Sequence, residues 1–153
     1  MSELGSLEGK AALVTGASSG LGRASATALA RSGADVALVA RSAEELEIAK
    51  EEVSNTDRRA LSLPTDLAKE EETSATVKRT VEEFGRIDVL VNAAGTEAPG
   101  TVEELVGPHA GGQPARSLPP EQGSVPHVRE EGGGTIVNVS SVAGKKGWAG
   151  CAW

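Results

Sequence analysis

Residues 15–22 read Thr-Gly-Ala-Ser-Ser-Gly-Leu-Gly and follow a short apolar run. Glycines at 16, 20 and 22 allow a tight turn and let a bulky anion reach the backbone. If a helix begins there, its first N–H groups and the positive end of its dipole can hold a phosphate or pyrophosphate. The plainer alternative is a glycine-rich strand-to-helix turn with no ligand, and the strand–turn–helix setting is what favours phosphate. Other reactive side chains are sparse. His109 and His127 lack the spacing of metal ligands, Cys151 is the single cysteine, and no tyrosine occurs among the 153 residues.

The elements that would position such a turn are legible from hydrophobic periodicity. Residues 10–16, 35–40, 86–91 and 134–139 are continuous apolar runs, with a weaker one at 59–64. Runs of this kind suit strands covered on both faces in a parallel sheet. Helices are expected at 20–32, ended by Gly33; at 43–54, where Ser42 and Glu45 form a capping box; and at 69–84, ended by Gly85. Leu46, Ala49 and Val53 share one face of the second helix, and Val77, Val81 and Phe84 one face of the third. Strands alternating with helices predict a doubly wound α/β sheet in a single domain over 1–153. The alternation fails from Val106 to Gly123, where Gly and Pro are too dense for a helix, although parallel strands on either side require a covering crossover.

Composition narrows the function classes. A net charge of −7 argues against nucleic acid or an anionic membrane as the main partner. An aromatic content of 2% leaves the core to Val, Leu, Ile and Ala. There is no apolar run of membrane-spanning length and no signal-peptide pattern at residues 1–10, so a cytoplasmic protein is expected.

The spacing TGxxxGxG at residues 15–22 resembles the short-chain dehydrogenase/reductase family, and three further motifs follow in that family's order. Asp66 stands in PTDL after the third strand, Asn92-Ala93-Ala94-Gly95 after the fourth, and Ile136-Val137-Asn138-Val139-Ser140-Ser141 at the fifth. The resemblance covers residues 7–105 and 125–153. It implies a Rossmann-like parallel sheet of about five strands in the order 3-2-1-4-5, incomplete, with an irregular segment at 106–123 where the helix between strands 4 and 5 would be. It also implies an NAD(P)-dependent oxidoreductase moving hydride between the cofactor and an alcohol or ketone, in a family that usually self-associates. On this reading Gly16, Ser18, Gly20, Leu21 and Gly22 hold phosphate, Asp66 contacts adenine, and Asn92 and Gly95 form the cofactor wall. Ser141 is the catalytic serine, because it directly precedes Val142-Ala143-Gly144. Taken singly, each has a blander reading: Asp66 as a helix cap, Asn92 as a loop tie, Ser140 and Ser141 as strand-end residues.

NAD-preferring relatives place an acid at the end of the second strand; here Ala40 stands there and Arg41 follows. An arginine can pair with a 2′-phosphate, which points to NADP(H) over NAD(H), although Arg41 also reads as a solvated charge before a helix cap. The family's tyrosine would fall around position 154, beyond Trp153, so its YxxxK motif is absent from these residues, and Lys145 and Lys146 lie too close to Ser141 to substitute. A chain without it is expected to be inactive, leaving a module that only binds nucleotide, or a fragment without function, as the alternative. The family stretch WDRxLAVNLxGxFL is also missing. Yet codons for Val106 to Pro119, read one base further on, permit Trp-Asp-Arg-(Met or Thr)-Leu-Ala-Val-Asn-Leu-Arg-Gly-Leu-Phe-Leu. A frameshift over 106–123 is therefore expected, a true loop insertion being the other reading. Without the helix, the fifth strand is expected to be an uncovered edge and the chain marginally stable.

Overall fold

The computed structural model describes residues 5–94, 98–99, 134–139 and 151–152. Strand β1 is Ala11–Thr15, β2 Asp35–Ala40, β3 Ala60–Pro64 and β4 Val89–Asn92. Helix α1 is Gly20–Arg31, α2 Ala43–Ser54 and α3 Glu70–Phe84. Beyond them β5 is Ala98–Pro99, β6 Thr135–Asn138 and β7 Cys151–Ala152.

The main sheet has five strands in the order β3-β2-β1-β4-β6, and every neighbouring pair is parallel. Because β5 belongs to a separate two-stranded antiparallel pair with β7, this is the expected order 3-2-1-4-5. That small pair was not foreseen. Of the remaining expectations, the fourth strand starts later than expected: Arg86, Ile87 and Asp88 precede it.

Alternation within the strands builds two apolar layers. On one face Ala12, Val14, Val36 and Leu38 pack with Ala26 and Ala30 of α1 and Leu46, Ala49 and Val53 of α2. On the other, Leu13, Ala37, Val39, Leu63 and Leu90 pack with Val77 of α3. Each fully buried aliphatic side chain contributes about 1.5–3 kcal/mol, so these layers carry the fold. Pro64, which cannot donate to a ladder, closes β3 at the edge of the sheet.

The helix ends follow local chemistry. Gly33, at φ 106°, and Gly85, at φ 79°, take the left-handed turns after α1 and α3. Ser42 Oγ accepts the Glu45 N–H at 3.4 Å, the first half of the expected capping box. The inner face of α3 carries the expected stripe, Val77 buried with Val81 and Phe84 partly buried against the same layer, and it also buries Thr73, Thr76 and Thr80. These hydroxyls are satisfied within the fold. Thr80 donates to the Thr76 carbonyl at 2.8 Å, Thr73 to the Lys69 carbonyl at 3.1 Å, and the Thr65 and Thr76 hydroxyls pair at 2.8 Å.

At the other end of the order, β6 is exposed throughout, with Ile136 and Val137 at 39% and 43% and Val139 just after it at 37%. This agrees with the expectation of an uncovered fifth strand. Gly95, Ser140, Ser141, Lys145, Lys146 and the segment 106–123 lie outside the described residues.

Candidate functional site

Because all five strands run the same way, the connections leaving β1, β2, β3 and β4 emerge at one edge of the sheet, where crevices beyond parallel strands bind ligands. The turn after β1 is held against the backbone that follows β4. A Cβ on Gly16 would meet the Ala93 carbonyl carbon and oxygen and the Ala94 nitrogen, each at 2.7 Å. Thr15 Oγ1 bridges the same two loops. It accepts the N–H groups of Ala93 and Ala94, both at 3.3 Å, and donates to the Val91 carbonyl at 3.4 Å. The Ala17 N–H donates to the Val39 carbonyl at 3.1 Å, tying the turn to β2 as well.

The two later glycines differ in what they do. A Cβ on Gly22 would meet the Gly16 carbonyl oxygen at 2.1 Å, so Gly22 lets α1 approach the turn. Gly20 has φ 53° and nothing within 4 Å of its missing Cβ, so its side of the turn is open. Ser19 caps α1 without a side-chain hydrogen bond, and the first turn of α1 contains no acid. The start of α1 is thus electropositive and unneutralised by its own side chains, which suits an anion. Ser18 is partly buried and Leu21 is 68% exposed beside it.

Cation placement is selective. Arg23 is held by Glu52 of α2, its Nε 2.9 Å from Oε2; this hydrogen bond first, with the paired charge, lowers the Glu52 pKa and raises that of Arg23. Arg41, exposed directly after β2, has no ion pair among the described residues. Asp66, two residues past β3, accepts the Ala68 N–H on Oδ1 at 3.1 Å. Its carboxylate therefore shapes the turn before α3, short of the helix's own cap residue Lys69. Asn92 donates from Nδ2 to Asn138 Oδ1 at 2.8 Å, and its carbonyl accepts the Val139 N–H at 2.9 Å. Asn92 thus ties β4 to β6, as a loop tie would.

The structure brings together Gly16, Ser18, Gly20, Leu21 and Gly22, and sets Arg41, Asp66 and Asn92 at the ends of neighbouring strands. Two working residues were not singled out in the sequence. Spacing marks Thr15 as part of a motif but gives its hydroxyl no role, and periodicity places Asp88 in a strand. The signal for Asp88 was available: an acid inside an apolar run is costly to bury unless paired.

Comparison with known proteins is consistent with this arrangement. The family model described as short chain dehydrogenase matches residues 10–108. A ketoacyl reductase of Nostoc sp. is 37% identical over 153 residues, covering 94% of this chain and 51% of its own length. Carveol dehydrogenase from Mycobacterium avium, solved in complex with NAD, superposes with a TM-score of 0.82 at 27% identity, covering 95% of this chain and 59% of that one. L-Sorbose reductase from Gluconobacter frateurii, complexed with NADPH and L-sorbose, gives 0.82 at 31% identity, covering 95% and 57%. The chain spans about half the length of the curated relatives it matches along most of its own sequence. With the glycine turn, the strand order and these matches in agreement, the chain belongs to the short-chain dehydrogenase/reductase family.

Proposed function

We propose that this chain binds a nicotinamide dinucleotide across the carboxyl edge of its sheet, with NADP(H) favoured over NAD(H), as the cofactor half of an oxidoreductase for an alcohol or ketone. The observation that carries the reading is the open side of the turn at Gly20, next to a helix start with neither acid nor side-chain cap. Gly16, Ser18, Gly20, Leu21 and Gly22 hold the pyrophosphate through backbone N–H groups. Arg41 pairs with the 2′-phosphate, Asp66 contacts adenine, and Asn92 and Gly95 line the cofactor wall. Relatives with NAD and with NADPH both occur, so the preference rests on Arg41. The cofactor, when bound, supplies the hydride.

Ser141 would orient the substrate oxygen. A polypeptide of these 153 residues alone, which include no tyrosine to give or take that oxygen's proton, is expected to bind without turnover. Titration with NADPH and NADH, followed by a ketone-reduction assay, tests this. NADPH should bind about tenfold tighter than NADH, and Arg41→Asp should reverse the order. Equal affinities would remove the role given to Arg41, turnover would remove the role given to the missing tyrosine, and failure to bind either dinucleotide would favour a fragment without function.

We also infer that residues 106–123 are the frameshifted form of a family helix, a reading supported by the family match ending at residue 108. The gene sequence decides it: the frame one base on should encode Trp-Asp-Arg at its start, and any other reading there refutes the inference.

A further inference from the structure

The turn that carries Asp66 is anchored from α3. The Asp66 N–H donates to Glu72 Oε2 at 2.8 Å, and Lys69 Nζ donates to Glu72 Oε1 at 2.7 Å. Within the turn, the Asp66 carbonyl accepts the Lys69 N–H at 3.0 Å and its Oδ1 accepts the Ala68 N–H at 3.1 Å. Glu72 is the third residue of α3, a position from which an acid ordinarily reaches back to the N–H of the cap residue. Here it reaches past Lys69 to Asp66. Both backbone polar groups of Asp66 and one carboxylate oxygen are thereby fixed, and among the described residues Oδ2 has no protein donor. The hydrogen bond from Lys69, then that from the Asp66 N–H, keeps Glu72 ionised by lowering its pKa, so the anchor persists at neutral pH.

We propose that Glu72, braced by Lys69, is a positioning residue for purine recognition: it holds the 66–69 turn so that Asp66 Oδ2 accepts the exocyclic amine of an adenine ring. This rests on the dinucleotide reading above. The chemistry it predicts is discrimination between adenine, which offers an amine at C6, and hypoxanthine, which offers an oxygen that a carboxylate repels. Glu72 touches neither base, and its effect passes through Asp66.

The test measures dissociation constants of NADPH and its hypoxanthine analogue for the unaltered chain, Glu72→Ala and Glu72→Gln. The unaltered chain should prefer adenine by about tenfold, the scale of one specific hydrogen bond. Glu72→Ala should bring that ratio close to one, weakening NADPH while leaving the analogue unchanged. Glu72→Gln keeps an oxygen for the Asp66 N–H and should restore most of the ratio. If Glu72→Ala does not fold, Lys69→Met removes the brace from the same carboxylate and should lower the ratio in the same direction. A Glu72→Ala chain that folds and retains the full preference overturns the proposal, as does one that weakens both ligands equally. An unaltered chain that binds both bases equally overturns it while leaving the dinucleotide reading intact; one that binds neither ligand brings down both.

Discussion

Asp88, 6% exposed, receives hydrogen bonds from Arg86 Nε at 2.7 Å, Arg86 Nη2 at 2.6 Å, Lys10 Nζ at 3.2 Å and the Ala11 N–H at 2.9 Å. Its own N–H donates to the Ala11 carbonyl and its carbonyl accepts the Thr135 N–H, both at 2.8 Å, so one residue links β1 and β6 at the start of β4. Burial alone would raise its pKa, but the hydrogen bonds from Arg86, Ala11 and Lys10 together outweigh burial and leave it below the ordinary 3.8. A carboxylate with a lowered folded pKa stabilises the fold above its unfolded value and loses that contribution as pH falls through the folded one. The stability difference between the unaltered chain and Asp88→Asn should therefore be about 3 kcal/mol at pH 7 and shrink below pH ~3.8, read by urea unfolding at both pH values. A constant difference would show that the carboxylate's charge is immaterial. Glycine substitutions separate fold from site. Gly22→Ala should gain nothing from helix propensity, because its Cβ would meet Gly16 backbone oxygen at 2.1 Å, and both melting temperature and NADPH affinity should fall. Gly20→Ala meets open space and should cost only about 1–2 kcal/mol for its positive φ, while losing affinity disproportionately. Equal effects of the two on melting would contradict the assignment. The glycines were legible from spacing alone, because the turn is local. Asp88 was legible only as an acid in an apolar run beside Arg86; its bonds to Ala11 and Lys10 exist only once β1 and β4 pair.

The two helices that start beside the expected ligand are capped in opposite ways. Helix α2 has Ser42 bonded to the Glu45 N–H, with Glu44 and Glu45 in its first turn; α1 has Ser19 unbonded and no acid. A stable helix start and an anion seat make opposing demands on the same N–H groups. Ser19→Asp should expose the conflict. The new carboxylate caps α1 and should stabilise the fold by about 0.5–1 kcal/mol while repelling the pyrophosphate, so melting temperature rises as NADPH affinity drops. A rise in both would mean that the start of α1 is not the phosphate seat. Apolar periodicity recovered α1, α2, β1 and β2 because each buries a run or stripe of aliphatic residues, and found β3 more weakly because only Leu63 is buried there. It served α3 less well. The buried face there contains Thr73, Thr76 and Thr80, polar by type but internally hydrogen-bonded, and a hydrophobic count cannot distinguish such threonines from solvated ones.

Among the described residues, cover of the sheet is uneven. Strands β1 and β2 are buried on both faces, whereas β6, joined to β4 alone among the described residues, presents Ile136 and Val137 to solvent, with Val139 exposed just after it. An apolar strand at a sheet edge is a template for association. Val137→Lys should reduce aggregation on heating without lowering NADPH affinity, because β6 lies outside the phosphate turn; unchanged aggregation would mean that another surface is responsible. Gly and Pro are dense in the sequence of residues 106–123, whereas the neighbouring frame permits Leu, Ala, Val and Phe at helical spacing. A chain carrying Trp-Asp-Arg-Met-Leu-Ala-Val-Asn-Leu-Arg-Gly-Leu-Phe-Leu in place of residues 106–119 should therefore bury the faces of β4 and β6. Each large aliphatic side chain newly covered contributes about 1.5–3 kcal/mol, so two or three suffice to raise the melting temperature by roughly 5–15 °C and to suppress binding of a hydrophobic dye. Unchanged melting and dye binding would mean that the restored stretch does not cover the sheet. The exposure of β6 would then need a cause other than the loss of that helix.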